Sequence, residues 1–207
     1  MNNHKPKQPK LPRLLIACAT RNGKTRAMPC IKALAKARDA YKGDVLLWVF
    51  DAKSTEYKPA DIQAWGADNV ITVKQKDWRR VAKERLLRFV KQLGDDGPDL
   101  LYLTDARVHH GARSIVNAVQ AYQTTALPVV EYCDPAQAEP GERSGIKGRV
   151  QRQRAHGYSL LINRGHAERI LEEMADHPRF AGEWYELASM ALGLFSVAEK
   201  SKVKVLK

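Results

Sequence analysis

Polar residues that could bind a nucleotide follow three apolar runs in the first half of the sequence. These runs are 100–104 before Asp105, 45–50 before Asp51, and 14–17 before the turn Thr20-Arg21-Asn22-Gly23. A carboxylate that ends a buried strand in an open α/β sheet lies at the edge where phosphates and metal ions bind. Together the three runs predict a nucleotide crevice, with Asp105 as its most informative residue.

Alternating strand and helix patterns would position these residues. Strand-like runs lie at 14–18, 45–50, 70–73 and 100–104, and helical periodicity lies between them at 29–41, 60–65 and 78–93. Pro29 suits the first turn of a helix, where its missing N–H removes no hydrogen bond. The alternation predicts an α/β fold with a mostly parallel central sheet that is flanked by helices on both faces.

The second half of the chain is less regular. Helical patterns at 112–122, 166–174 and 184–192 and strand-like runs at 127–132, 158–162 and within 195–205 surround a polar segment at 134–156. A polar segment of that length is typical of a functional lid or a disordered loop.

Length and composition indicate one globular domain. The chain has 207 residues, of which 44% are hydrophobic and 28% are charged. No apolar stretch approaches the roughly 20 residues that cross a bilayer, so we expect a cytoplasmic protein without a membrane-spanning segment. The three cysteines show no paired spacing, so they indicate neither a disulfide framework nor a zinc site.

The charge balance favours a polyanionic partner. The chain has 35 Lys and Arg against 23 Asp and Glu, which gives a net charge of +12. Part of the excess lies in a basic, proline-containing tail at 1–12, which we expect to be flexible. Residues 13–207 are then the folded domain.

One alternative is a P-loop enzyme that binds ATP and Mg²⁺ through Lys24. The run Cys18-Ala19-Thr20-Arg21-Asn22-Gly23-Lys24-Thr25 follows a strand and ends like a phosphate-binding P-loop, with Cys18 in place of the first glycine. A side chain at position 18 would crowd the tight turn. In addition, Pro29 would disturb a helix that begins at Gly23.

A second interpretation covers roughly 180 residues of the chain. The segments that carry it are Thr20-Arg21-Asn22, Phe50-Asp51-Ala52-Lys53-Ser54, Leu101-Tyr102-Leu103-Thr104-Asp105, 157–164 and Gly182-Glu183-Trp184-Tyr185-Glu186-Leu187. In order and spacing these segments resemble the nucleotide-diphospho-sugar glycosyltransferases of the GT-A fold, of the family 2-like type. The resemblance implies a single GT-A-like domain and an enzyme that moves a sugar from a nucleotide-sugar to an acceptor hydroxyl.

The resemblance also implies roles in donor binding. Thr20 and Arg21 would lie beside the nucleotide, and Asp51 would hydrogen-bond the base, which is usually uracil, so that the donor would be a UDP-sugar. Arg85, on the basic helix, would approach the diphosphate. A carboxylate accepts from a ring N–H, and a guanidinium can donate two hydrogen bonds to phosphate oxygens. An ordinary strand-end turn remains the alternative for Asp51, and a solvated helix face remains the alternative for Arg85.

Metal binding is the point at which the sequence departs from this family. Asp105 would begin the Asp-x-Asp motif that holds the ribose and a divalent cation, Mn²⁺ or Mg²⁺, but the sequence reads Asp105-Ala106-Arg107. Arg107 could itself offset the charge of the leaving diphosphate, as a preorganised cation can. Alternatively, His109 or His110 could supply a metal ligand, or the two histidines could simply belong to a polar loop.

The general base and the acceptor are the remaining implied features. The resemblance makes Glu183 the carboxylate nearest to the position of the expected general base, which must reach the acceptor hydroxyl. The alternative is that Glu183 is only a charged residue at the start of a helix.

The basic segments at 74–91 and 143–156 could follow a phosphate backbone. The acceptor could then be a hydroxymethylated pyrimidine in DNA, as in phage DNA-modifying enzymes that act in the host cytoplasm. A polysaccharide, lipid-linked sugar or protein acceptor stays open, as does a non-catalytic nucleic-acid-binding module.

Overall fold

The computed structural model describes residues 10–73, 78–133, 159–176 and 196–205. Its strands are β1 (Leu14–Thr20), β2 (Val45–Asp51), β3 (Asn69–Thr72), β4 (Leu100–Asp105), β5 (Val108–His110), β6 (Val129–Cys133), β7 (Leu160–Asn163) and β8 (Ser196–Val205). Its α-helices are α1 (Lys24–Asp39), α2 (Pro59–Ala64), α3 (Trp78–Leu93), α4 (Ser114–Thr125) and α5 (Arg164–Asp176). The polar segment 134–156, the predicted helix at 184–192, Glu183 and most of the tail 1–12 lie outside the described residues.

The strands form one mixed sheet in the order β3-β2-β1-β4-β7-β6-β8-β5. Its first four strands are parallel, and β7 pairs antiparallel with both β4 and β6. The connections β1-α1-β2 and β2-α2-β3 return the chain to the same edge each time, as parallel pairing requires. The predicted α/β class with a mostly parallel sheet is confirmed.

Both faces of the sheet are covered, which explains why β1 and β4 are apolar along nearly their whole length. Alternate residues of β1 and β4 enter two core clusters, one beneath α1, α2 and α4 and the other beneath α3 and α5. Every residue of β4 is buried. A strand in the middle of a two-sided sheet has no solvent face, so it shows no alternation of apolar and polar residues.

The start of α1 differs from the sequence expectation. The helix begins at Lys24, and Pro29 lies inside it instead of in its first turn. The backbone of Asn22 and Gly23 is left-handed, with φ of 49° and 67°, and this tight turn leads the chain directly from β1 into the helix. Pro29 then removes only the hydrogen bond that an N–H would donate to the Thr25 carbonyl. The expected start of this helix at Pro29 is therefore wrong, and a helix that begins directly after Gly23 accommodates the proline.

The polar-loop alternative for His109 and His110 is wrong, because both residues lie in strand β5. This strand pairs antiparallel with β8, and Val108 and His110 are both buried, with exposed fractions of 1% and 2%. Its partner strand lies about 90 residues further along the chain, and three residues are too few for a periodic signal. The observed β5 places His110 directly behind the turn that contains Asp105 and Arg107.

Candidate functional site

Three polar strand ends lie side by side at the carboxyl edge of the sheet. Thr20 lies opposite Asp51 in the β1–β2 pair, and Ala19 lies opposite Asp105 in the β1–β4 pair. Backbone hydrogen bonds continue past the strands, because the Ala52 N–H donates to the Thr20 carbonyl at 2.9 Å and the Ala106 N–H donates to the Ala19 carbonyl at 2.8 Å. The residues that follow β2 and β4 are thus held firmly beside β1.

An open pocket lies between the β1–α1 turn and the β4–β5 turn. Its lining residues are Ala19, Thr20, Arg21, Asn22, Arg26, Ala27, Asp105, Ala106 and Arg107. The pocket brings together four of the residues expected from the sequence, which are Thr20, Arg21, Asp105 and Arg107. Neither Asp51 nor Arg85 lines it. The side chain of Arg85 is exposed on α3.

Tyr57, which sequence reasoning missed, lies outside the pocket lining and holds two lining residues, Thr20 and Asn22, in place. The Thr20 hydroxyl is buried and lies 2.6 Å from the Tyr57 hydroxyl, which also donates to the Asn22 carbonyl at 3.3 Å. The Tyr57 ring packs edge-on against Trp65 with ring centroids 5.1 Å apart. Burial raises the pKa of Tyr57, so its hydroxyl stays protonated and available for these hydrogen bonds. An aromatic residue at the end of a polar loop was the only sequence signal for this role.

Asp51 is the centre of a strand-end turn. Its carboxylate is 2% exposed and accepts hydrogen bonds from the Ser54 N–H at 3.1 Å and from the Ser54 hydroxyl at 2.5 Å. The same Ser54 hydroxyl accepts from the Asn22 N–H at 2.8 Å, so the turn after β2 supports the turn after β1. The turn alternative for Asp51 is therefore observed, and a carboxylate retains lone pairs for a further donor.

The β1–α1 turn lacks the geometry of a P-loop. Residues 18–20 are paired with β2 and β4, so their backbone is committed to the sheet. The first amide of α1, that of Lys24, donates to the Glu56 carboxylate at 2.9 Å. Hydrogen bonds from the Lys24 and Gly23 amides hold the pKa of Glu56 below its usual value, so this carboxylate stays ionised where a P-loop would bind phosphate. The P-loop interpretation loses its structural basis.

Asp105 and Arg107 form an ion pair across the β4–β5 turn. Arg107 Nη2 lies 3.3 Å from Asp105 Oδ2, and the two side chains are 32% and 10% exposed. Behind them His110 lies between two buried hydroxyls, with Nδ1 3.1 Å from Tyr102 Oη and Nε2 3.2 Å from Thr104 Oγ1. Burial, with a smaller effect from His109, lowers the pKa of His110 to about 3, so this ring is neutral and holds the turn in place.

Several solved structures resemble this chain in fold. The S. aureus TarS 1–349 structure in complex with UDP-GlcNAc has a TM-score of 0.63 at 12% identity, over 94% of this chain and 58% of that one. The chain has a GT-A glycosyltransferase fold. The mannosyltransferase PcManGT from Pyrobaculum calidifontis, in complex with GDP-Man and Mn²⁺, gives a TM-score of 0.58 at 18% identity over 79% of this chain and 50% of that one.

A third structure, mannosyl-3-phosphoglycerate synthase from Rubrobacter xylanophilus, gives a TM-score of 0.52 at 14% identity over 75% of this chain and 55% of that one. The present chain thus spans about half to three fifths of the length of these three proteins. No protein-family model matches the chain, and no curated protein matches it. Among the described helices, none has the length and apolar character needed to cross a membrane.

Proposed function

We propose that this protein transfers a sugar from a nucleotide-sugar, with UDP as the preferred nucleotide, to an acceptor hydroxyl. The observation that carries the proposal is the pocket at the carboxyl edge of β1 and β4, lined by Thr20, Arg21, Asp105 and Arg107 in a GT-A fold. In open α/β sheets ligands bind outside the carboxyl ends of the strands. Structures with this fold were solved with UDP-GlcNAc and with GDP-Man.

Each pocket residue has a role suited to its chemistry. Arg21 is exposed at the rim, where a guanidinium can form two hydrogen bonds with a phosphate. Asp105 is an acceptor for ribose hydroxyls. Asp51, one strand away, accepts from the ring N–H of the base. Arg85 lies on α3, outside the pocket lining. It is therefore a candidate only for an outer phosphate contact.

The general base in this proposal is Glu183, which lies outside the described residues. For inversion at the anomeric carbon, a carboxylate removes the proton of the acceptor hydroxyl as its oxygen attacks. The sugar–oxygen bond to the diphosphate breaks at the same time, and its electron pair leaves with the nucleoside diphosphate.

Nucleotide binding tests the donor half of the proposal. We expect UDP and UDP-sugars to raise the thermal unfolding midpoint, since a ligand that binds the folded state stabilises it. Asp51→Asn should weaken UDP binding by about tenfold, which is about 1.4 kcal/mol, through loss of the acceptor for the base. Two matched controls separate binding from folding. Ser54→Ala breaks the same turn but keeps the Asp51 carboxylate, and Asp99→Asn removes a carboxylate at the opposite edge of the sheet, where it pairs with Arg13.

Equal loss of UDP binding in Asp51→Asn and Ser54→Ala would show that Asp51 acts only through the turn. Wild-type protein that is folded and binds no nucleotide would contradict the proposed function itself. Binding of ATP that Lys24→Ala abolishes and Asp51→Asn leaves intact would restore the P-loop alternative.

For the acceptor we propose a hydroxymethylated pyrimidine in DNA, because a net charge of +12 favours a polyanion. Transfer from UDP-sugars should then be faster to oligonucleotides that contain hydroxymethylcytosine than to the same sequence with cytosine. Binding of both oligonucleotides should weaken steeply with salt, since phosphate contacts release counterions. Transfer to a carbohydrate and not to modified DNA would overturn the DNA acceptor while leaving sugar transfer in place. Salt-sensitive DNA binding without a nucleotide site would instead identify a binding module.

A further inference from the structure

The charge of the pocket is positive and matches a diphosphate. Three arginines, Arg21, Arg26 and Arg107, line it together with a single carboxylate, Asp105. Three positive charges and one negative charge leave a net charge of +2. A sugar-linked nucleoside diphosphate carries about two negative charges near neutral pH, and arginine is the side chain best suited to planar, bidentate phosphate contacts.

A divalent cation does not fit the same residues. Mn²⁺ and Mg²⁺ prefer several oxygen ligands, and the position that would supply a second carboxylate holds Arg107, whose guanidinium contacts Asp105 Oδ2. His110 cannot supply a ligand, because it is 2% exposed and both ring nitrogens face the hydroxyls of Tyr102 and Thr104. Among the residues that the structure describes, no group of three or more His, Cys, Asp or Glu side chains could hold a metal ion.

Arg26 is the member of this set that the sequence did not indicate, and Gly23 explains its position. Arg26 lies in the first turn of α1, and its side chain folds back over the turn that precedes the helix. A Cβ atom on residue 23 would lie 3.1 Å from Arg26 Nη2 and 3.3 Å from its Nε. The glycine thus leaves the space in which the Arg26 guanidinium reaches the pocket.

We infer that this pocket binds the diphosphate of a sugar nucleotide without a divalent cation, with Arg26 as a third phosphate-binding residue beside Arg21 and Arg107. The inference rests on the proposed function and deepens it. Arg107 takes the place of the metal ion by putting a fixed positive charge at the β4–β5 turn. Arg21 and Arg26 bring two more positive charges from the β1–α1 turn on the other side of the pocket.

Calorimetric titration of UDP into the 207-residue protein, once with EDTA and once with MnCl₂, tests the inference. We expect the two dissociation constants to agree within about threefold, which is about 0.7 kcal/mol. Arg26→Gln should weaken UDP binding by about tenfold under both conditions. Arg169→Gln, an exposed arginine on α5 outside the pocket lining, is the matched control and should bind UDP like the wild type.

Arg107→Asp restores the second acid and gives the sharpest contrast. We expect this variant to lose UDP binding in EDTA and to recover it with MnCl₂. Should it fold poorly, the wild-type comparison and Arg26→Gln still decide the matter. Wild-type binding that requires Mn²⁺, or unchanged binding in Arg26→Gln, would overturn the inference and leave the proposed function standing. Absence of UDP binding under both conditions would overturn the proposed function as well.

Discussion

Replacing Thr104 by valine should destabilise the protein by about 2–4 kcal/mol. Thr104 is fully buried, and its Oγ1 lies 3.2 Å from His110 Nε2 and 2.9 Å from Ser159 Oγ. Valine keeps the shape of the side chain but can make neither hydrogen bond. Each hydrogen bond contributes about 1 kcal/mol to the free energy of unfolding. The variant also leaves the buried His110 nitrogen and Ser159 oxygen without this partner, and that desolvation cost brings the expected loss to about 2–4 kcal/mol.

Urea unfolding followed by circular dichroism measures this loss. Thr124→Val is the matched control, because the Thr124 hydroxyl is exposed and donates only to the Gln120 carbonyl of its own helix, so we expect a change within about 0.5 kcal/mol. Combining Thr104→Val with Ser159→Ala should cost less than the sum of the single variants by about 1 kcal/mol, since the two hydroxyls share a hydrogen bond. A Thr104→Val variant within about 0.5 kcal/mol of wild type, or strict additivity, would refute the reasoning about this buried cluster.

Three further predictions follow from the described residues. His110 has a folded-state pKa of about 3 against about 6.5 when unfolded. The unfolded chain therefore binds a proton first, and the free energy of unfolding should fall by about 2 kcal/mol between about pH 7 and pH 5. His110→Gln should lack this part of the acid loss in urea titrations, and equal slopes would contradict it. Gly23→Ala should lower the thermal midpoint and weaken UDP binding, because φ is +67° and the new methyl group meets Arg26. Gly94→Ala, at φ +56° with open space around its Cβ, should lower the midpoint and leave UDP binding unchanged. If Gly23→Ala bound UDP as tightly as Gly94→Ala does, the crowding argument would be refuted. Leu103→Ala, in the fully buried middle of β4, should cost about 2–5 kcal/mol in urea unfolding, and a loss below about 1 kcal/mol would contradict the two-sided core.

The first half of the fold could be predicted because its signals are local. The strands β1, β2 and β4 follow the runs at 14–18, 45–50 and 100–104 to within two residues, and α3 spans the predicted 78–93. A fully buried strand in a parallel sheet is a continuous apolar run, and a helix that covers one face shows a period near 3.6. The position of Thr20, Asp51 and Asp105 at one edge follows from that alternation alone.

The parts of the site that sequence reasoning missed depend on contacts between distant residues. Tyr57 reaches Thr20 from 37 residues away, and His110 is buried because β5 pairs with β8. Arg26 enters the pocket because α1 starts five residues before Pro29, and a left-handed turn at Gly23 decides that start. The preference of proline for a first turn was outweighed by this turn geometry, and no periodic pattern in the sequence reports it.

The charge of the pocket could be predicted only in part from the sequence. The sequence shows that Arg107 stands where the second acid of the Asp-x-Asp motif is expected, which left the role of a metal ion open. Only the folded chain shows that Arg107 contacts Asp105 and that Arg21 and Arg26 line the same pocket. A diphosphate site with three arginines is thus a property of the tertiary arrangement.

A crystal structure of this protein with bound UDP, grown without divalent cations, tests the central claim most directly. We expect the diphosphate between the β1–α1 and β4–β5 turns, in contact with Arg21, Arg26 and Arg107, and the base beside Asp51. UDP bound at any other surface of the protein, or with its phosphates at the Lys24 amide in place of Glu56, would contradict the account.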